Sequence, residues 1–328
     1  MLNMKRTKKN IAFIIPIYPP HFDYGNALLK SFYNNSLETQ ADLWFVFTNE
    51  EESNKYGAYE NKIILPEELR IFDNKGIINI KKFYGLKTLQ NKYDYYIVLD
   101  SEIEFIKNIN LYRICEQIYN EKKLYGNSVW NFEHLGMERI RSKCRSYFKS
   151  CTNFKNIENE EKDLYLWFSN LPVYKNEYLS DFFDIINYNK NIYNLTILDF
   201  DHYIYMYYLI IRKNFKIIDL KMHSYIGAGE SMPEAFCFVP GTDIKHKFNM
   251  CSKAALSLLD NDNLFVVIQI DRTLSRLFFI IGNALSDLTI KYTNLQNDFS
   301  NFQKKNRQKK SGLYKFFHLY ALRGKKDE

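Results

Sequence analysis

The chain has 328 residues, enough for about two domains or one large one. With 46% hydrophobic, 25% charged and 17% aromatic residues it has a globular composition, which excludes disordered, collagen-like and disulfide-scaffold chains. The net charge of +7 is concentrated in residues 304–328, which hold nine Lys/Arg against two Asp/Glu, so the nearly neutral body argues against a protein whose whole surface grips nucleic acid.

The first apolar run, residues 11–17, follows Lys5, Arg6, Lys8 and Lys9 as in a signal peptide. It is short, carries Pro16 and runs into Tyr18-Pro19-Pro20 rather than a small-residue cleavage site, so it predicts a buried strand. Helical spacing over 27–33, a strand over 43–48, a helix over 80–89 and a strand over 95–99 follow in order. This repeated β-α-β order predicts an α/β domain with a mixed, mostly parallel sheet flanked by helices. A stretch over 193–211, rich in Tyr, Ile, Leu and Met, predicts a buried helix entered through Asp199 and Asp201, and 215–220 predicts another strand.

From about residue 253 the pattern becomes mostly helical, with Leu274, Leu277, Phe278, Ile281, Leu285 and Leu288 at i, i+3, i+4 spacing. Residues 304–326 set Leu313, Phe316, Phe317, Leu319 and Tyr320 between cations. That composition suits an interfacial amphipathic helix on an anionic membrane surface and, equally, a helix docked on its own domain. Asp260, Asp262, Asp271, Arg272 and Arg276 break up the most apolar region, so no membrane-spanning helix is expected. Five cysteines (Cys115, Cys144, Cys151, Cys237, Cys251), with no C-x-x-C, predict reduced thiols rather than a disulfide framework or a zinc site. No G-x-G-x-x-G, P-loop, G-x-S-x-G or H-E-x-x-H pattern is present.

The chemistry-bearing window is Tyr95-Tyr96-Ile97-Val98-Leu99-Asp100-Ser101-Glu102. An apolar strand delivers two carboxylates at its carboxyl end, where ligands bind in open α/β sheets. Hard divalent ions take carboxylate and phosphate oxygens together, so Asp100 and Glu102 suit a metal–diphosphate site. The same residues also read as turn formers or a helix cap.

The opening Ile11-Ala12-Phe13-Ile14-Ile15-Pro16-Ile17-Tyr18 and this Asp-x-Glu strand together resemble the nucleotide-sugar glycosyltransferases of the GT-A type, across roughly the first 230 residues. The segment Leu166-Trp167-Phe168-Ser169-Asn170-Leu171-Pro172-Val173-Tyr174 is similar to an acceptor-side segment of the bacterial surface-polysaccharide members, which build capsule and lipooligosaccharide. The family motif ends in Asp where this chain has Glu102, which leaves Glu104 as another choice for the second ligand.

The resemblance implies a GT-A-like, Rossmann-type catalytic domain over 1–252, with a nucleotide-sugar half at about 1–110 and an acceptor half at about 111–252, followed by a helical region over 253–328. It implies transfer of a sugar from a nucleotide-diphosphate donor, a UDP-sugar first, to a hydroxyl of a glycan or lipid-linked glycan. A divalent cation, manganese or magnesium, would be held by Asp100 and Glu102, with His223 as a further ligand, or a solvent-facing histidine instead. Pro16, Ile17 and Tyr18 would form the uracil-side wall. Lys82 or Lys87 would reach the donor phosphates, though lysines of that helix, Lys81 among them, also read as ordinary surface cations. Ser101 would lie beside the donor. Asp201 would act as the catalytic carboxylate and Asp199 as its alternative or as a helix cap. A cytoplasmic enzyme, peripheral at the inner membrane face through its tail, is the expected setting. A sugar-1-phosphate nucleotidyltransferase and a non-catalytic glycan- or nucleotide-binding module are the rival expectations. The loop after the first strand, Tyr18-Pro19-Pro20-His21-Phe22-Asp23, lacks the Gly-rich, basic character that the nucleotidyltransferase needs.

Overall fold

The computed structural model describes residues 9–70, 76–105, 108–126, 135–151, 171–219, 236–238 and 264–269. All of these fall in one compact unit, and a second unit, residues 249–252 and 277–328, lies outside them. The expectations for the helical pattern at 274–288, the basic tail, His223 and residues 166–170 therefore also lie outside the described residues.

The strands are β1 (Ile11–Pro16), β2 (Ala41–Phe47), β3 (Lys62–Ile64), β4 (Tyr95–Val98), β5 (Ile103–Phe105), β6 (Lys123–Gly126), β7 (Val173–Lys175), β8 (Lys216–Asp219), β9 (Phe236–Phe238) and β10 (Leu264–Gln269). The helices that matter here are α1 (Phe22–Asn34), α2 (Glu50–Tyr56), α3 (Ile77–Leu89), α4 (Leu111–Glu121), α5 (Leu135–Arg145), α6 (Asn176–Ile185) and α7 (Asp201–Lys213).

Five strands form the main sheet in the order β3-β2-β1-β4-β7. The first four run parallel, with Ile11 opposite Ala41 on one side and Tyr95 on the other. β7 is added antiparallel, Ile97 facing Val173. The fold is thus α/β with a mixed, mostly parallel sheet flanked by helices. Every residue of β1 and β4 is buried, so both read in sequence as continuous apolar runs rather than alternating ones.

α3 lies close against the sheet because it has Gly85 at the crossing: a Cβ there would sit 2.7 Å from Ile14 Cγ2 and 3.1 Å from Val46 Cγ2. α7 has eleven buried residues in succession, as expected of a helix apolar all round and enclosed by protein. Two of its tyrosine hydroxyls find partners there: that of Tyr205 lies 2.9 Å from that of Tyr119, and Tyr208 donates to Asp181 at 2.8 Å.

Several elements differ from expectation. The buried helix begins at Asp201, not near 193, because residues 195–200 are held in a loop by Asp199. The strand near 215–220 does not join the main sheet; β8 pairs in parallel with β6. Residues 264–269, inside the stretch expected to be mostly helical, form β10, which pairs with β5 and β9.

Candidate functional site

β1 and β4 are neighbours, so their carboxyl ends open side by side. Past β4 the chain still pairs with β1, Leu99 N donating to Ile14 O at 3.2 Å, and then delivers Asp100, Ser101 and Glu102. Past β1 the Ile17 amide pairs with Val46 O at 3.1 Å, and a single 3-10 turn, Pro19–His21, follows Tyr18. The prolines preset that turn. A 3-10 repeat of three residues puts Tyr18 and His21 on one side, ring centroids 4.1 Å apart.

Two polar groups assemble here. In the first, the Lys82 ammonium lies 2.8 Å from Asp100 Oδ1 and 3.2 Å from Asp201 Oδ1, with 6% of its side chain exposed. The Tyr174 hydroxyl, from β7, donates to Asp201 Oδ2 at 2.7 Å. The Phe200 ring lies beneath the ammonium, 5.3 Å away. Burial by itself would lower Lys82, but the Asp100 and Asp201 carboxylates outweigh it and hold the ammonium above the usual lysine range. Asp201 opens the first turn of α7, where a negative charge complements the helix N-terminus. Its side chain is 1% exposed, against 36% for Asp100.

In the second group, His21 Nδ1 lies 3.2 Å from both Ser101 Oγ and Glu102 Oε2, and its Nε2 lies 2.5 Å from the Tyr18 hydroxyl. One assignment of protons serves all of these contacts: Tyr18 donates to Nε2, the Nδ1 proton is shared between Glu102 and Ser101 Oγ, and the Ser101 hydroxyl donates to Glu102. Beneath the turn, the Lys81 ammonium donates to Ile17 O at 2.5 Å and lies 3.5 Å from Glu52. Burial lowers Lys81 to about 8, with Glu52 opposing the shift.

Asp100, Ser101, Glu102, Lys82, Asp201 and Tyr18 are therefore gathered at one strand end. Others are not. Pro16 and Ile17 are buried in the core beneath it and form no open wall, which leaves Tyr18, 37% exposed, as the reachable member of that trio. Lys87 lies on the exposed face of the last turn of α3, bonded to Gln90 at 2.9 Å and set over the Phe183 ring.

Asp199 neither opens towards the site nor caps α7. One oxygen takes the Thr196 amide and hydroxyl, each at 2.7 Å, and the other takes the Tyr147 hydroxyl at 2.6 Å, with Lys143 3.4 Å away. It knots the loop that aims Asp201. Gly76 lets that loop pass close, since a Cβ there would meet Leu195 O at 2.2 Å, and Asn79 donates to Thr196 O at 2.8 Å.

His21 and Tyr174 are the members that sequence reasoning missed, and Lys81, named there only among the helix cations, turns out to be buried. The Tyr-Pro-Pro-His spacing was the available signal for His21. Nothing in a helical lysine signals that it is buried, as Lys81 and Lys82 are at 2% and 5% exposure.

As placed, the carboxylates do not share a divalent cation. Asp100 is turned to Lys82 and Glu102 to His21, and among the described residues no three His, Cys, Asp or Glu side chains converge on one point. The donor chemistry suits a hard ion, but the pairing does not. Also among the described residues, no helix is long and apolar enough to cross a membrane. No protein-family model matches the chain, and no curated protein matches it either.

Proposed function

We propose that the chain is a glycosyltransferase of the GT-A kind that moves a sugar from a nucleotide-diphosphate donor, a UDP-sugar first, to a hydroxyl of a bacterial surface glycan. The observation that carries this reading is the pairing of the β1 and β4 exits in a sheet of order β3-β2-β1-β4-β7, with Tyr18 at one exit and Asp100 at the other. Open α/β sheets bind ligands at that edge. The Tyr18 ring, held by His21, offers a stacking face for a base. Asp100 is the carboxylate of the Lys82 group with a third of its side chain open, so it is the one that can meet the donor; Asp201 acts through Lys82.

In the transfer, the bond between the anomeric carbon and the diphosphate oxygen breaks, a new bond forms to the acceptor oxygen, and the acceptor proton leaves. Negative charge grows on the departing diphosphate, and fixed cations lower the cost of that charge most where water is excluded. Among the described residues, the cations at this strand end are Lys81, Lys82 and, when protonated, His21.

The reading is tested by thermal unfolding of the full chain with UDP, GDP and CMP in turn, with and without manganese. A nucleotide at 100 times its Kd stabilises by about 2.7 kcal/mol. One nucleotide should raise the Tm and Asp100→Ala should remove the gain. No shift with any of them at millimolar concentration would overturn the reading, and binding without sugar transfer would turn it into a non-catalytic module.

A further inference from the structure

The ladder between β1 and β2 is interrupted one rung before the strands part. Its register pairs Ile15 with Phe45 and Pro16 with Val46, and the Ile17 amide still donates to Val46 O at 3.1 Å. In a parallel ladder the next bond would run from the Thr48 amide to Ile17 O. Side chains take both groups instead. Ile17 O accepts from the Lys81 ammonium at 2.5 Å, and the Thr48 amide donates to Glu52 Oε2 at 2.8 Å. Lys81 lies 3.5 Å from that same Glu52 oxygen, so a lysine of α3 and a glutamate of the first turn of α2 stand where one backbone bond would be.

A buried ion pair carries a desolvation penalty that the direct backbone bond would not, and Lys81 and Thr48 are 2% and 5% exposed. What the pair adds is width. Three contacts in a row span the gap that a single hydrogen bond of about 2.9 Å would close, so the exits of β1 and β2 are held apart. Tyr18 follows Ile17 directly, in extended conformation, and its carbonyl accepts the His21 amide at 2.8 Å. We propose that Lys81 and Glu52 are positioning residues, a side-chain wedge that replaces the last β1–β2 rung and sets the Tyr18 ring in the pose that receives the base of the donor. This rests on the reading of the strand end as a nucleotide site and adds which residues shape its base side. The Lys81 charge faces Glu52 inside the fold, so it acts through the backbone of Ile17 and not by contact with the donor.

The experiment compares the full native chain with Lys81→Met and with Lys81→Met combined with Glu52→Ala. The double variant removes both charges together and leaves Ile17 O and the Thr48 amide to bond each other, so it carries the test if Lys81→Met alone does not fold. One measurement is hydrogen exchange at the Thr48 amide without ligand, followed by nuclear magnetic resonance of threonine-labelled chain. The other is calorimetric titration of a nucleoside and of its nucleotide, uridine and UDP first, in one buffer.

In the double variant the Thr48 amide should stay as protected as in the native chain, because the strands close by one rung. Uridine and UDP should each bind about tenfold or more weakly to it, and by the same factor. Free exchange at Thr48 in the double variant means that the strands do not close, and overturns the proposal. So does an unchanged affinity for uridine, or a loss seen with UDP alone, which would assign Lys81 to the phosphates. If Thr48 responds as expected while no nucleotide stabilises the native chain, the transferase reading falls and the wedge stands. If UDP binds the native chain and the double variant alike, the reverse holds.

Discussion

Lys82 has no water to fall back on, and neither has Asp201, so each depends on the other for its charge. Lys82→Met would leave the Asp201 carboxylate at 1% exposure with only the Tyr174 hydroxyl, and an uncompensated buried charge costs about 3–5 kcal/mol. The Asp100 contact adds little, since a third of that side chain meets water and solvent screens it. Urea unfolding should show Lys82→Met losing about that much, and Lys82→Met with Asp201→Asn losing less than the sum of its parts by about 1–3 kcal/mol. Additive losses would mean that the ion pair is not the reason Lys82 is buried.

At the scale of elements, the contact between α3 and β1 is set by a missing side chain. Alanine in place of a helical glycine ordinarily stabilises by about 1 kcal/mol. At Gly85 the added Cβ falls 2.7 Å from Ile14 Cγ2, on a strand buried on both faces that cannot give way. Overpacking of this kind costs about 1–3 kcal/mol, so Gly85→Ala is expected to lower stability in denaturant unfolding despite its higher helix propensity. A gain would show that α3 can lift away from the sheet. The elements legible in the sequence were those with a period of their own: β1, β2, β4, α1 and α3 all come from apolar runs or helical spacing. β7 has three residues and pairs antiparallel only because β4 offers an edge, so nothing local announces it. The start of α7 was hidden for another reason. Asp199 reads as a cap by position, yet its oxygens go to Thr196 and Tyr147, and the helix opens on Asp201 without a side-chain cap. Of the candidate site, Asp100, Glu102 and Tyr18 were legible because a strand exit is a place that sequence can mark. The pairing of Lys82 with both Asp100 and Asp201 was not, because it depends on a packing of α3, β4 and α7 that no local pattern encodes.

Taken as a whole, the molecule places two adjacent lysines under the exits of its central strands, and their electrostatics run in opposite directions. Lys82 is raised because two carboxylates outweigh its burial, so its contribution is present at neutral pH and is lost only as pH climbs beyond the unfolded lysine range. Lys81 is lowered to about 8, because burial dominates and Glu52 compensates only in part. Its charged form is therefore disfavoured by folding. Below about pH 8 both folded and unfolded states carry the proton and the penalty is fully present. Above that the folded state releases it first, the unfolded chain binds more protons, and stability rises with pH. The neutral amine still donates to Ile17 O, so releasing the proton does not break that contact. Between pH 8 and 9.5 this one group favours the native state by up to roughly 2 kcal/mol, at 1.36 kcal/mol per unit. The Cys115 and Cys144 thiols and the buried tyrosines, all raised by burial, ionise first in the unfolded chain and act in the opposite direction. Lys81→Met removes that group alone, so the stability of the native protein relative to Lys81→Met should rise by that amount across the window, whatever the thiols and tyrosines do to both. Urea unfolding of both proteins at half-unit steps measures that difference, and parallel pH profiles would show that Lys81 does not carry it.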